Sequence, residues 1–471
     1  MRLSQTFAYT LGMLPKFAYR PELVILCCIA FCHVSLGRSF QVVAYNVENL
    51  FDTDGVSLYD DYKPEHYGPK ELQNKLRSII QSLREIGGRT GPEVVLLQEI
   101  EVDQTPNEFS SATELLLNAL KKSGLGPYRV AQGYDPKDSP GNWPSVQCVT
   151  LSKFPITSTR LHPIRMARPI LETTLSVGGV PFTLFNNHWK SGASSKDMEK
   201  HRLQNAQTLR NRIDELTKRN PFADFLVGGD LNSHYNQSTV YKKDMPETGI
   251  NDVLLSNNLE PAGRIIAPKL YNLWHELPSE QRGSDAWRGN WGTLMHLILP
   301  QGLYDNKGIR YVSDSFEVAN LEGINCVSGS GLPLKWSNEL DGFGTSDHFP
   351  VLARFETSGS ATPAGKSYPE IEETAREVDY TKALKYAPNW QPKSLDPSNY
   401  GVTFRFSGTV ARSNPISVLT GGHRLGLYSF DPAVRRRLFS FRRDSRIAGY
   451  GHLSRYRRQW QFIVEEASWI K

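Results

Sequence analysis

Along this chain four apolar runs each give way abruptly to a short polar run. Phe40 to Ala44 leads into Tyr45-Asn46-Val47-Glu48-Asn49, and Val94 to Leu97 into Gln98-Glu99. Phe182 to Phe185 leads into Asn186-Asn187-His188-Trp189-Lys190-Ser191, and Phe225 to Val227 into Gly229-Asp230-Leu231-Asn232-Ser233. A fifth polar run, Thr345-Ser346-Asp347-His348-Phe349-Pro350, has the same character. Apolar runs this short, rich in Val, Phe and Leu, predict buried strands. Polar residues just past such strands converge on one sheet edge, where α/β proteins commonly build their sites. Helical spacing appears instead over Lys70 to Ile86, with Leu72, Leu76, Ile79, Ile80 and Leu83 recurring on one face. A second helix is predicted over Lys196 to Lys218.

Past Glu356 the pattern changes. Thr357 to Gly365 is rich in Ser, Thr, Gly, Ala and Pro and reads as a flexible linker, and Pro369 to Pro397 is polar and irregular with room for one short helix. Alternation then returns in Val402 to Val410, Arg424 to Phe430, around Arg437 to Arg442, and in Trp460 to Val464. Short strands punctuated by glycine predict a small barrel or sandwich. Arginines sit among aromatics there: Arg405 between Phe404 and Phe406, and Arg455 and Arg457 on either side of Tyr456. Such interleaving supplies phosphate contacts and stacking surface, though a basic face over an aromatic core gives the same pattern.

Charge reinforces the division. The formal net charge is +5, but Gly401 to Lys471 holds thirteen Lys or Arg against four Asp or Glu, or +9, which leaves −4 for the remainder. A near-neutral body with a basic tail points to a polyanionic partner; nucleic acid, a membrane surface or a charged glycan would each answer to it.

The polar runs carry a coherent chemistry. Glu99, with the carbonyl oxygen of Asn46, suits Mg²⁺, a hard ion that takes oxygen ligands and keeps several waters. Asp230 and Asn232 belong on the turn ending their strand, one for the attacking water and one for phosphate. His188 and His348 can donate to phosphate oxygens or shuttle protons near neutral pH. The implied reaction is metal-assisted attack of water on a phosphate ester. Singly, each residue has a plainer reading, since Asp and Asn form turns and histidines often fill cores; the set in this order is what points to function.

That set resembles the endonuclease/exonuclease/phosphatase (DNase I-like) superfamily over Ser39 to Glu356. Ala44 to Asp52 and Asn187 to Ser191 look most like its bacterial secreted-nuclease branch. The resemblance implies an α/β fold: a four-layer sandwich of two packed mixed β-sheets flanked by helices. It implies that Asn46, Glu99 and Asp347 hold Mg²⁺ (with Mn²⁺ or Ca²⁺ as alternatives), that Asp230 orients the water and that Asn232 binds phosphate. His348 would stabilise or protonate the phosphate, His188 would stand near the leaving group, and Arg168, Asn187 and Lys190 would contact substrate. Gln147 to Ile156 matches a structural strand and turn of the family. Gly449 to Phe462 resembles, more loosely, the closing hairpin of OB-fold nucleic-acid binders, which makes Arg455, Tyr456 and Arg457 substrate contacts on a small all-β, OB-like module. The expected organisation is a leader over 1–37, the enzyme domain over 39–356, a linker over 357–398 and the OB-like module over 399–471.

One position departs from the family pattern. Where an Asp that hydrogen-bonds the last catalytic histidine is expected, Trp291 to Leu299 places Met295. A thioether cannot orient an imidazole, so His348 is expected to be less well held unless His296 or a shifted carboxylate compensates.

At the N-terminus, Lys16 and Arg20 precede the apolar Leu23 to Phe31, then Ser35-Leu36-Gly37, as in a cleaved export signal. Membrane attachment is expected only if that leader is retained. Cys27, Cys28 and Cys32 fall within it, leaving Cys148 and Cys326 either to pair or to stay as buried thiols. Two function classes follow: a secreted metal-dependent phosphodiesterase acting on nucleic acid, or a phosphoesterase of the same fold acting on lipid head groups or small phosphate esters. A weakly active binding homologue is the outlier. The basic tail favours nucleic acid, and no stable protein partner is implied.

Overall fold

The computed structural model describes residues 38–106, 108–257, 268–305, 307–357, 365–368 and 370–471. The expected leader and most of the glycine- and serine-rich linker fall outside these residues.

In chain order the body contains β1 (Ser39–Leu50), β2 (Val94–Glu101), β3 (Arg129–Gln132), β4 (Val146–Ser152), β5 (Ile156–Ile164), β6 (Ala167–Val177), β7 (Val180–His188) and β8 (Phe225–Asp230). There follow β9 (Ser256–Asn257), β10 (Leu270–Asn272), β11 (Asp285–Trp287), β12 (Asn290–Gly292), β13 (Met295–Leu299), β14 (Ile309–Tyr311), β15 (Glu317–Val318) and β16 (Val351–Thr357). One seven-stranded sheet runs β14-β16-β1-β2-β4-β3, with β15 also on β16; the other runs β5-β6-β7-β8-β13-β10-β9. Both mix parallel and antiparallel pairs, and β11 with β12 makes a separate hairpin.

Alternation along β1 shows how the layers form. Phe40, Val42 and Ala44 face the other sheet, joining Leu226, Leu297 and Leu299 in the core between the two. Val43 and Tyr45 point the opposite way, against α1 (Pro69–Gly87) and α2 (Ala112–Lys122). On the far side Phe185, Phe225 and Val227 pack against Ala206, Leu209 and Ile213 of α3 (Lys196–Arg219). The order helix, sheet, sheet, helix matches the expected four layers, and α1 and α3 lie within a residue or two of their predicted ends. Gly228 lets the sheets come close, because a Cβ there would stand 2.7 Å from the Leu96 side chain.

The C-terminal part is a closed barrel of β17 (Thr403–Ser413), β18 (Ile416–Thr420), β19 (His423–Tyr428), β20 (Arg446–Tyr456) and β21 (Gln459–Ile463). Its order is β17-β18-β19-β21-β20, closed by β20 on β17, with β19 and β21 parallel. This topology is compatible with an OB-like module. The strand expected around Arg437 to Arg442 is not there: Pro432–Phe439 is a helix instead. Asp431 starts it by accepting the Ala433 and Val434 N–H groups, with Pro432 at the first helical position.

The barrel is built onto the body. Val378, Tyr380 and Trp390, from the segment before it, lie in the barrel core, and Ala286 and Trp291 of the β11–β12 hairpin pack against that core. At the tip of the β20–β21 hairpin, Arg457 and Arg458 adopt left-handed backbone (φ 47° and 62°), which turns both N–H groups onto the Glu339 carboxylate at 2.8 and 3.0 Å. Cys148 and Cys326 are separate buried thiols. Among the described residues no helix is long and apolar enough to cross a membrane.

Candidate active site

Strand register delivers the polar runs to one place. In the parallel β7–β8 pair His188 stands beside Asp230, and in the parallel β1–β2 pair Asn46 stands beside Gln98. Beyond that pair the ladder skips to Leu50 opposite Ile100. Glu48, Asn49 and Glu99 occupy the irregularity with left-handed φ of 52°, 63° and 66°. Such backbone is costly for Glu, and it persists where surrounding packing enforces it, often at functional sites. Its effect is to swing Glu48 and Glu99 out of the strand ladder. Gly229, at φ 112°, makes the matching adjustment before Asp230, where a Cβ would lie 2.2 Å from the Asn187 carbonyl.

Asp230 is the centre of the cluster and is almost fully buried. Asn46 Nδ2 donates to Asp230 Oδ2 at 2.9 Å and to Glu99 Oε1 at 3.0 Å, while Asn46 Oδ1 accepts the Glu48 N–H. His188 Nε2 lies 3.5 Å from Glu99 and 3.6 Å from Asp230; His348 Nε2 lies 3.7 Å from both Asp230 and Asp347. The His348 loop is fixed by Ser346, whose hydroxyl donates to the Asn46 carbonyl and accepts the His348 N–H. Asn232, also left-handed, donates its backbone N–H to Asp230 Oδ1 at 2.8 Å, and its Nδ2 holds the Trp189 carbonyl at 3.2 Å.

Burial and like charge act together on these groups. Burial raises the Asp230 carboxyl, against the pull of His348 and its hydrogen bonds; burial, then Asp347, raises that of Glu99. Glu48, half-buried and facing Asp347, is pushed up to about 8 by desolvation and that like charge. The two histidines part company. Burial, then the Arg168 and His348 charges, drives His188 well below its ordinary value. Burial also opposes a charged His348, but Asp347, Asp230, Asp285 and Glu99 outweigh it and hold that ring at about 9. A neutral His188 beside a cationic His348 is an acid–base pair separated by environment.

Of the residues expected from sequence, Asn46, Glu99, His188, Asp230, Asn232, Asp347 and His348 come together, and Arg168 places its charge on Glu99, Asp230 and His188. Asn187 does not face substrate. It is fully buried, donating to the Phe185 and Gly228 carbonyls and accepting the Trp189 indole N–H, so it braces β7 against β8. Lys190 is half-buried on the following turn, with its carbonyl held by Arg202. Arg455 anchors the barrel hairpin, donating to the Glu339 carbonyl and lying over the Trp460 ring, and it also lines the groove between body and barrel. Tyr456 stays exposed, with Arg457 over its face at 5.3 Å.

Several groups were not legible beforehand. Asp285, on β11, is paired by backbone with His348 in an isolated bridge and adds its charge to that ring. Its Oδ1 accepts from Ser284 Oγ at 3.1 Å and Leu294 N–H at 3.3 Å. Asp285 thus bears on His348 by charge and not by a hydrogen bond, since the buried His348 Nδ1 has no partner among the described residues. His296 is not the substitute, because its ring is fully buried between Asn272 and the Ser233 carbonyl. Lys75 of α1 donates to the Thr345 carbonyl at 2.8 Å, sits 4.6 Å from the Trp336 ring centroid, and faces Glu48, Asp347 and Glu99. Lys335 reaches within 3.8 Å of Asp347. Just past β1 and β2, Asp52, Asp54 and Asp103 bring carboxylate oxygens within 4.8 Å of one another. Their hydrogen bonds are largely local, taken from the Asp54 N–H and from Thr105.

The donor set around Asp230 fits a hard divalent cation. Glu99 and Asp347 repel each other when both are ionised, and their oxygens are hard ligands; Asn46 turns its NH2 to Glu99 and its Oδ1 to the Glu48 N–H, so its oxygen would join them only after the amide turns over. A cation between them would relieve that repulsion.

Residues 142–357, a little under half of the chain, match the model of the Endonuclease/Exonuclease/phosphatase family, which supports that superfamily for this part of the sequence. No curated protein matches the chain. Similar solved structures include TDP2 from Caenorhabditis elegans (15% identity, TM-score 0.41, covering 68% of this chain and 75% of that one). Others are D. rerio TDP2 complexed with a single-strand DNA product (17%, TM-score 0.40, 68% and 99%) and the human Nocturnin catalytic domain with bound sulfate (14%, TM-score 0.38, 68% and 95%). Likenesses this distant say nothing of substrate, which must be read from the site itself.

Proposed function

We propose that this chain is a secreted, divalent-metal-dependent phosphodiesterase of the endonuclease/exonuclease/phosphatase superfamily that hydrolyses nucleic acid, with Mg²⁺ the expected ion. One observation carries the reading: Asn46, Glu99, His188, Asp347 and His348 all converge around the buried Asp230. Glu99 and Asp347 would hold the metal, joined by Asn46 Oδ1 once that amide turns its oxygen towards Glu99, and the bound ion would polarise a phosphoryl oxygen and offset charge developing on it.

The chain's own residues supply the rest. Asp230, fixed by Asn46 Nδ2 and the Asn232 N–H, accepts a hydrogen bond from water and aims its lone pair at phosphorus. His348, cationic at neutral pH, donates to the phosphoryl or leaving oxygen; His188, neutral, offers a hydrogen bond without adding charge. Arg168 and the free N–H of the Asn232 amide meet the remaining phosphate oxygens. The leader-like segment supports export, and the basic barrel, as an OB-like module, supports a nucleic-acid substrate.

The test is hydrolysis by purified residues 38–471 of a single-stranded oligonucleotide, set against phosphatidylinositol and sphingomyelin, with Mg²⁺, Mn²⁺, Ca²⁺ or chelator. Cation-dependent oligonucleotide cleavage is expected. Faster turnover of either lipid would overturn the substrate class, and cleavage that survives chelation would overturn the metal.

A further inference from the structure

Beside the catalytic cluster a groove runs between body and barrel, and Asp347 is the clustered residue that lines it. The cavity measures about 340 Å³, and its walls also include the Trp287-Arg288-Gly289 turn, Lys335, Phe430 and Tyr456. A chain of contacts links Asp347 through Lys335 to a row of aromatic rings. Lys335 Nζ, 3.8 Å from Asp347, is also 5.8 Å from the Trp287 ring centroid. Trp287 meets Phe430 of the barrel at 5.6 Å, and Phe430 meets Tyr428 at 5.2 Å. All three rings are exposed, Trp287 by 55% and the other two by 37% each. Each end of the row carries a cation: Arg288 lies 5.5 Å from the Trp287 ring centre, and Arg435 lies 5.7 Å from that of Tyr428 while donating to its hydroxyl.

Large rings left in water at the join of two units need an occupant. The occupant must be apolar in face, anionic in edge, and continuous with a phosphodiester at Asp347. We propose that a single-stranded polynucleotide leaves the catalytic centre along this groove, with bases stacked on Trp287, Phe430 and Tyr428 and phosphates met by Lys335, Arg288 and Arg435. The proposal rests on the phosphodiesterase reading above and adds which form of nucleic acid is taken and by what path. Three rings in succession extend past the reach of a mononucleotide, and a base can stack on a protein ring only when it is not paired in a duplex. The interleaved cations and the +9 barrel match a polyanion along its length rather than a single head group.

Binding is measured in chelator by fluorescence anisotropy of a labelled (dT)12, using residues 38–471 as wild type, Trp287→Ala, Phe430→Ala and Arg288→Ala. Each ring removed is expected to weaken binding on the order of ten-fold. Arg288→Ala is expected to lower the salt slope by about one phosphate contact. A 12-base-pair duplex should bind more weakly than (dT)12. With Mg²⁺ restored, the loss in Trp287→Ala should be at least ten-fold greater for (dT)12 cleavage than for bis(p-nitrophenyl) phosphate. Equal binding of (dT)12 by wild type and both ring variants would overturn the proposal, as would equal loss on the two substrates or tighter binding of duplex. A wild type that binds (dT)12 through these rings yet hydrolyses nothing would count against the phosphodiesterase reading and leave the groove standing. Because Trp287 is half-exposed, circular dichroism of its alanine variant should match wild type; Trp287→Phe, which keeps a stacking face, should recover most of the affinity.

Discussion

Glu99→Gln separates a metal ligand from a structural carboxylate. Gln keeps the oxygen that accepts from Asn46 Nδ2 at 3.0 Å, so the local hydrogen bonding survives. It removes one of several clustered acids, and with it the repulsion from Asp347 that helps raise the half-buried Glu99 carboxyl. In chelator the variant should therefore be as stable as wild type or slightly more so. In Mg²⁺ the order reverses. Wild type at a hundred times its dissociation constant gains about 2.7 kcal/mol from binding. Loss of a charged ligand weakens the ion at least as much as loss of an outer partner, about 100-fold at the upper end, which leaves roughly 0.4 kcal/mol at the same concentration. The chain over 38–471 loses on the order of 0.9 kcal/mol of stability per degree near its midpoint. Differential scanning fluorimetry should then show an Mg²⁺ shift of about 3 °C for wild type and under ~1 °C for the variant. Turnover of bis(p-nitrophenyl) phosphate should fall by roughly 100-fold or more, as expected when several kcal/mol of charge stabilisation is withdrawn. An undiminished Mg²⁺ shift with wild-type turnover would refute the assignment of Glu99 to the metal.

Three further outcomes are expected. Asp285→Asn keeps the acceptor for Leu294 N–H and Ser284 Oγ but removes an anion that favours protonated His348; turnover should drop about 10–100-fold, and the alkaline limb of the pH–rate profile should move to lower pH. Met295→Asp should lower stability by about 3 kcal/mol or more with no gain in rate, measured by denaturant midpoint and kcat, since Met295 fills the core between the sheets on the strand position paired with Asp230. Glu172 is buried and takes His162 Nε2 at 2.7 Å and two Arg212 nitrogens at 2.8 Å; against the cost of burial these hold its carboxyl at about 2. Because the folded value lies below the ordinary 4.5, its contribution of about 3 kcal/mol is complete above pH 5 and is lost as pH falls from 4.5 towards 2. Glu172→Gln should therefore flatten the acid side of the urea-midpoint profile, and an unchanged slope there would count against the network.

The parts of this molecule that a sequence discloses are those set by periodicity. Phe40 to Ala44 and Phe225 to Val227 are apolar because both faces of their strands are covered, and the leucines of α1 repeat because one face meets β1. The helix Ala112–Lys122 was also within reach, since Ser111 and Glu114 form a reciprocal cap that marks its start. So was the helix Pro432–Phe439, where Asp431-Pro432 outweighs the alternation of the residues that follow. Asn187 misled for a related reason: an Asn beside a catalytic-looking His carries no mark that separates a substrate contact from a brace between strands, and its neighbour Trp189, whose indole it holds, was the clue.

What periodicity cannot disclose is proximity created by irregular backbone. Glu48 enters the site because β1 and β2 break register together, and Lys75 because its helix packs over Trp336. The position of Met295 shows the limit most clearly. Aligned motif by motif, the chain lacks the carboxylate that should steady His348, and the natural reading is a weakened enzyme. In three dimensions the charge arrives from Asp285, ten residues earlier in the chain, because the β11–β12 hairpin folds its first residue into backbone pairing with His348 itself. Charge reaches that imidazole from a different strand, while its Nδ1 has no hydrogen-bond partner among the described residues and the motif position is vacated. A catalytic group is thus better sought as a charge facing its partner than as a letter in a motif, and Asp285→Asn set beside Met295→Asp decides which of the two descriptions the protein obeys.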